Sequence, residues 1–369
     1  MSVFRILSAN ATICDGRQLA HRRRAWWSYC WNKLLVKRAI QAARRRQPGR
    51  KVVCISKVMH LGDIVACEPV ARQIRRQHPQ AFIIWCLQKP YREIMQHHPA
   101  VDYVLAVACL TEWMLFAEAG LFDEIVDLEM NHRPCDGCKL SLRKQHDPGV
   151  TFENYYRLGC LLDVFSRCAG LHIEDQGGNR DPSLYLPDSV RERAGQLLPQ
   201  EGKYLAVHCF SNESSRDWRI EKWRELLTWV SKEWDLTIIE VGQQAGLAQL
   251  GLPRYISMCG QLSILETAEA IRRSVLFIGV DSGPAHLANA VGTKGVILIG
   301  RYASFVKYQP YSGKYASPEH ARLVYSMEPA ANIPVEEVKI AVSEILSQEL
   351  RGRDLQPREL EGGGSPPVL

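Results

Sequence analysis

Two stretches of the 369-residue chain carry residue types at a spacing suited to chemistry on an anion. In Phe277-Ile-Gly-Val-Asp-Ser-Gly-Pro-Ala-His-Leu-Ala-Asn-Ala-Val-Gly292 an apolar run passes through Asp281, Ser282 and Gly283 into a helical pattern starting at Pro284. Gly283 allows close approach to the backbone, and Pro284 at a first helical position sacrifices no hydrogen bond. The free N–H groups of such a helix start form an anion site fit for a diphosphate, and Ser282 can add its hydroxyl. The competing role is local, with Asp281 and Ser282 capping the helix and His286 packed beneath it. In the second stretch, His208–Leu226, a strand end opens into a loop bearing Ser211, Asn212 and Arg216, followed by an amphipathic helix. Hydroxyl, amide and guanidinium together make the other half of a phosphate clamp. Against this, Trp218, Trp223 and Leu226 read as core and Arg216 as a solvated loop charge.

A third candidate, Cys135-Asp-Gly-Cys138, has metal-ligand spacing, and His132, Cys160 and Cys168 are the residues that could complete it. A zinc site wants a second close pair, which Cys160 and Cys168 do not form, so no metal is expected. The Gly-x-Gly-x-x-Gly dinucleotide fingerprint is absent, which disfavours a nicotinamide enzyme.

The elements that must position these residues alternate along the chain. Strands are expected at Lys51–Ser56, Ala81–Leu87, Asp102–Val107 and Ile125–Leu128, then at Tyr204–His208, Leu236–Val241, Val275–Val280 and Gly295–Ile299. Helical patterns fall between them: after the His60-Leu-Gly-Asp63 turn to Gln77, at Tyr91–His97, Phe152–Ala169, Ile220–Glu233, Ile264–Arg273, Pro284–Val291 and Val335–Leu350. This order argues α/β architecture with two wound parallel sheets and a cleft between them. Gly, Asp and Pro around Gly178–Pro187 mark a domain boundary. The expected division is an arm over 1–50, a first domain over 51–185, a second over 186–350 with its last helix free to pack back on the first, and a flexible tail over 351–369.

Charge is uneven. Residues 1–51 hold 13 Lys and Arg against one acid, Asp15, while the other 318 carry 33 basic and 39 acidic groups. A mildly acidic body with a basic arm points to a local anionic partner and away from nucleic acid. From Trp27, apolar residues at Trp31, Leu34, Leu35, Ala39, Ala42 and Ala43 share a helical face, and Lys37, Arg38, Arg44 and Arg45 take the rest. Residues 22–46 therefore suit either an anionic membrane surface or packing on the protein's own body. No apolar run reaches the roughly 18 residues of a bilayer span, and no secretory signal is evident, so a cytoplasmic protein is expected. The 12 cysteines sit mostly beside apolar residues, as buried thiols of a reducing compartment do.

Together, Leu61-Gly-Asp63, Arg216-Asp-Trp218 with Trp223, and Asp281-Ser-Gly-Pro-Ala-His-Leu287 resemble glycosyltransferase family 9, the ADP-heptose:lipopolysaccharide heptosyltransferases. The resemblance runs in the family's order from about Lys51 to Leu346. It implies a GT-B fold, two Rossmann-like domains facing across a cleft, and metal-independent, inverting sugar transfer without a cofactor. It further implies Asp63 as catalytic base, although an Asp here could equally cap the following helix. Lys57 and His60 would then face acceptor or sugar. The leaving diphosphate would rest on Ser211, Asn212, Arg216, Ser282, Gly283, Pro284 and His286, and nucleotide and sugar near Asp281, Gly242 and Leu262. The implied partners are a nucleotide-sugar donor and a lipid-linked glycan acceptor at the inner membrane's cytoplasmic face. Arg216 stands where a lysine is usual, Arg219 replaces a proline, Met59-His60 replace small hydroxyl residues, and no carboxylate stands near Gly246 for the ribose. These departures leave open another nucleotide-sugar with a protein or glycan acceptor, or a non-catalytic protein of the same fold.

Overall fold

The structure, a computed structural model, describes residues 16–175, 177, 179–198 and 203–351. The first 15 residues of the expected arm and the tail from 352 onward lie outside the described residues. Two fully parallel sheets form. The first has the order β3-β2-β1-β4, from β1 (Val52–Ser56), β2 (Phe82–Gln88), β3 (Tyr103–Val107) and β4 (Glu124–Asp127). The second has the order β10-β9-β8-β5-β6-β7. Its strands are β5 (Tyr204–His208), β6 (Thr237–Glu240), β7 (Tyr255–Ser257), β8 (Ser274–Val280), β9 (Gly295–Ile299) and β10 (Ala321–Tyr325). The central strands are largely apolar because helices cover both faces; every residue of β1 and β9 is buried. The short edge strands β7 and β10 carry no comparable run and were not expected.

Gly159 interrupts the helix expected over Phe152–Ala169. It holds φ 119°, so only a 3₁₀ turn at Tyr155–Arg157 and the helix Leu161–Cys168 form. The N-terminal segment forms the 31-residue helix α1 (Gly16–Arg46). The face it buries differs from the expected one. Ala25, Tyr29, Val36, Ile40 and Ala43 pack against β1, β2, β3 and the helix Leu110–Ala117, whereas Trp27 and Trp31 are 73% and 65% exposed. Both stripes have helical spacing, and the one bearing the smaller side chains lies closest to the sheet. The last helix, Val335–Arg351, lies on the second sheet with Ile220–Glu233, and Val338, Val342, Ile345 and Leu346 enter that domain's core. It does not return to the first domain. Among the described residues no helix is long and apolar enough to cross a membrane.

The two domains meet where two helices begin. In the first domain α2 (Leu61–Ala66) follows β1; in the second α10 (Gly283–Val291) follows β8. A Cβ on Gly62 would lie 2.6 Å from His286 Cδ2, and one on Gly283 2.7 Å from Leu61 Cδ2. Each helix thus offers a glycine to the other's side chain. The Ile264 N–H donates to Glu93 Oε1 (2.7 Å) and the Leu161 N–H to the Pro310 carbonyl (3.1 Å) across the same junction. The chain crossing between domains is pinned to the first by the Ser183 N–H, which donates to buried Glu68 Oε2 (2.9 Å). We expect Gly62→Ala to lower the unfolding free energy by about 1–3 kcal/mol, as overpacking does. Urea denaturation measures this, and an unchanged midpoint would contradict so tight a junction.

Candidate active site

The cleft between the domains has a volume of about 800 Å³ and is lined from both sides. Lys57, Asp63, Glu129 and Arg133 form its charged corner on the first domain. β1 ends at Ser56 and delivers Lys57, fully buried, to the C-terminal edge of the sheet. There its Nζ lies 3.1 Å from Asp63 Oδ2, 3.2 Å from Glu129 Oε2 and 4.1 Å from the centre of the Phe165 ring. Arg133 Nη1 stands 4.0 Å from Asp63 Oδ2 and 3.8 Å from Glu129 Oε2. Glu129 also accepts the Val58 N–H (2.7 Å). Two buried cations thus face two carboxylates, and of the four Asp63, whose side chain is 18% exposed, and Arg133 line the cleft. Burial pushes the Asp63 carboxyl up, but Lys57, His60 and Arg133 outweigh it and hold it below the ordinary range. Asp63 makes no cap: the residue before its helix, His60, holds φ 66° with no side-chain cap hydrogen bond. A left-handed non-glycine residue costs roughly 1–3 kcal/mol, and here the turn aims Asp63 inward.

On the second domain the phosphate-clamp candidates divide into two kinds. Arg216, on a 3₁₀ turn (Ser214–Arg216), is not a solvated charge. Its guanidinium stands 3.5 Å from Asp281 Oδ2 and 5.0 Å from the Tyr302 ring centre, and its buried Nε has no hydrogen-bond partner. Asp281 is 3% exposed and accepts hydroxyls from Tyr308 (2.9 Å) and Tyr311 (2.9 Å). With its oxygens so engaged, Asp281 positions Arg216 at the lining of the cleft. Ser282 precedes α10 without capping it by side chain, and its hydroxyl turns back to the Val280 carbonyl (3.1 Å). The helix start at Gly283 and Pro284 therefore faces the cleft uncapped. His286 is buried under α10 against Gly62 and Tyr311, and burial lowers its pKa, which favours the neutral ring.

Ser211 is a loop brace. Its N–H donates to Asp217 Oδ1 (2.6 Å), and its hydroxyl is exchanged with the Glu213 backbone. Asn212 is exposed on the cleft rim. Gly242 and Leu262 line the far end of the cleft. Gly242 holds φ 137° beside His208, whose Nδ1 lies 2.8 Å from the Val241 carbonyl oxygen. Trp218 and Trp223 are core, and the Trp218 indole donates to the Ile333 carbonyl (3.0 Å). Glu240 lies beside Gly246 but does not supply the missing carboxylate: it is buried, accepts the Gly246 (2.7 Å) and Leu247 (3.2 Å) N–H groups, and does not line the cleft.

Sequence patterning overlooked Glu129 and Arg133; their i,i+4 spacing after a strand was the available sign. Tyr156, Tyr302, Phe305 and Tyr308, which stack into a wall joining the domains beside Arg216, carried none.

Residues 167–318 match the model of glycosyltransferase family 9 (heptosyltransferase). Lipopolysaccharide heptosyltransferase 1 of Campylobacter coli is 23% identical over 291 residues, 69% of this chain and 85% of that protein. The glycosyltransferase family 9 structure from Veillonella parvula superposes with TM-score 0.63 at 17% identity, covering 81% of this chain and 97% of its own. The E. coli ADP-heptose lipopolysaccharide heptosyltransferase II gives TM-score 0.58 at 15% identity, covering 81% and 99%. With two wound domains closing on one cleft, the chain has the GT-B fold of these structures. Its sequence is similar to the glycosyltransferase family 9 heptosyltransferases over residues 167–318 and to the C. coli enzyme over most of its length.

An ionised Asp63 stabilises the fold above its unfolded pKa of about 3.9, and that contribution is lost as pH falls through the lower folded value. Removing a nearby cation must raise that folded value. In Arg133→Gln we expect the acid limb of the pH–kcat/KM profile to move upward. A limb that stays put or moves down would detach Arg133 from Asp63.

Proposed function

We propose that the protein transfers heptose from ADP-heptose to a lipopolysaccharide-core-like acceptor, with inversion at the anomeric carbon and no metal ion in the transfer step. The observation that carries this is the opposition across one cleft of an ionised carboxylate, Asp63, and an anion cradle made by Arg216 and the start of α10. The acceptor hydroxyl attacks C1 of the sugar and yields its proton to Asp63. The C1–oxygen bond to the diphosphate breaks, and its electron pair leaves with the nucleoside diphosphate. The guanidinium and the uncapped helix start stabilise that charge, which is the part a divalent cation would otherwise play. Lys57 keeps Asp63 ionised and oriented, His60 borders the acceptor side, and Asn212 and Ser211 shape the diphosphate loop. The base and ribose lie toward Gly242 and Leu262. ADP as the nucleotide is supported by what the E. coli relative uses by its description, ADP-heptose.

Asp63→Asn should lower kcat by about 10²–10⁴-fold with little change in ADP binding. ADP should raise the melting temperature more than UDP or GDP does, and Arg216→Ala should remove that rise. Turnover should persist when magnesium is omitted. An Asp63→Asn enzyme of full activity would sink the base assignment, and equal stabilisation by all three diphosphates would sink the donor.

We also propose peripheral attachment at the cytoplasmic face of the inner membrane through α1. Its outward stripe of Trp27, Trp31 and Leu34 is exposed, and Arg23, Arg24, Lys37 and Arg38 are exposed on the same helix. This pairing of interfacial aromatics with cations suits anionic lipid. Trp27→Ser/Trp31→Ser should abolish co-sedimentation with phosphatidylglycerol vesicles and leave turnover on a soluble acceptor intact. Equal sedimentation of both proteins would refute the attachment.

A further inference from the structure

A second site lies on the opposite side of the first sheet from α2. Cys135-Asp-Gly-Cys138 forms a tight hairpin: Pro134 and Ser141 bridge in antiparallel fashion, the Cys135 N–H donates to the Leu140 carbonyl (2.8 Å), and the Lys139 N–H to the Cys135 carbonyl (2.8 Å). Lys139 takes a left-handed φ of 53° to close the turn. The residues that sequence offered to complete a metal site do not come near. Cys160 pairs with Asp163 and Arg180, the Cys168 carbonyl takes the Lys144 ammonium, and His132 is exposed. Instead Cys109, at the turn between β3 and the helix Leu110–Ala117, brings its sulfur 3.9 Å from that of Cys138. The three sulfurs of Cys109, Cys135 and Cys138 all lie within 4.8 Å of one another.

We propose that Cys109, Cys135 and Cys138 hold a zinc ion as three thiolates. Zinc–sulfur bonds of about 2.3 Å in a tetrahedron place sulfurs about 3.8 Å apart, close to the observed separation. Cys135 and Cys138 are buried at 1% and 0% exposure, so the cage is shielded from solvent on two corners. The surroundings favour thiolates. The buried Arg22 guanidinium on α1 donates to the Cys138 carbonyl (3.1 Å), and the buried Thr111 hydroxyl finds no conventional hydrogen-bond partner. The exposed His21 ring lies against Gly137 of the hairpin, its Nδ1 3.0 Å from where a Cβ would stand, but the group that closes within 4.8 Å consists of the three sulfurs. The ion is structural: it ties α1 and the β3 corner to the hairpin that carries Arg133 two residues before Cys135. The site stands independently of the sugar-transfer reaction proposed above.

Full-length protein purified under reducing conditions should contain about one zinc per chain by mass spectrometry of the metal, in line with structural sites of this kind. Cys135→Ser/Cys138→Ser and Cys109→Ser should each lose it, while Cys30→Ser, at an exposed cysteine, should keep it. Cobalt added to metal-stripped wild type should give the thiolate-to-metal charge-transfer band of a tetrahedral site, absent in the double variant. Stripping the metal should speed proteolysis within α1, and zinc alone should reverse this. Wild type that takes up neither ion, or uptake that survives loss of these cysteines, would overturn the proposal.

Discussion

Everything in the cleft depends on how closely two helix starts can approach. Glycine at Gly62 and Gly283 lets α2 and α10 cross with no Cβ between them, so His286 and Leu61 each fill the space a side chain would have taken. Had either position carried a side chain, Asp63 and the start of α10 would stand further apart and the two domains would not share one anion-binding gap. Helix starts are where backbone N–H groups are unsatisfied, so pressing two of them together concentrates positive potential at the floor of the cleft.

Two buried ion clusters then set the chemistry, and they are built alike. On one side Lys57 is shared between Asp63 and Glu129; on the other Asp281 is shared among Arg216, Tyr308 and Tyr311. In each, the fully buried member serves to hold a partner that reaches the cleft. Burying such charges is costly unless they are paired and hydrogen-bonded, and each is. The outcome is opposite on the two sides: a carboxylate at the cleft on one, and a guanidinium at the cleft on the other.

The N-terminal helix shows how a fold can use both faces of one amphipathic segment. Small and medium apolar side chains at Ala25, Val36, Ile40 and Ala43 fit the sheet edge, whereas Trp27 and Trp31 are left outward. The same helix lays Arg22 beside the cysteine hairpin, so one element links the outer surface, the metal-type cluster and, through that hairpin, the active-site corner.

The order of strands and helices was legible in sequence because buried parallel strands are short β-branched runs, and Tyr204–His208 and Gly295–Ile299 match to the residue. The motif around Asp281-Ser-Gly-Pro284 was legible too, since Gly and Pro at a helix start impose a local geometry that neighbours cannot change. Spacing could not show which side chains would spend their hydrogen-bonding capacity elsewhere. Asp281 and Ser211 carried the right chemistry but are engaged with tyrosines and loop backbone, while Glu129 and Arg133 became essential neighbours of Asp63 only when β4 was laid beside β1. Nor could sequence foresee Cys109 joining a pair 26 residues away, or choose between two helical stripes of equal periodicity. Local geometry is written residue by residue; pairing of charges, thiols and faces is decided by what the folded chain sets across from them.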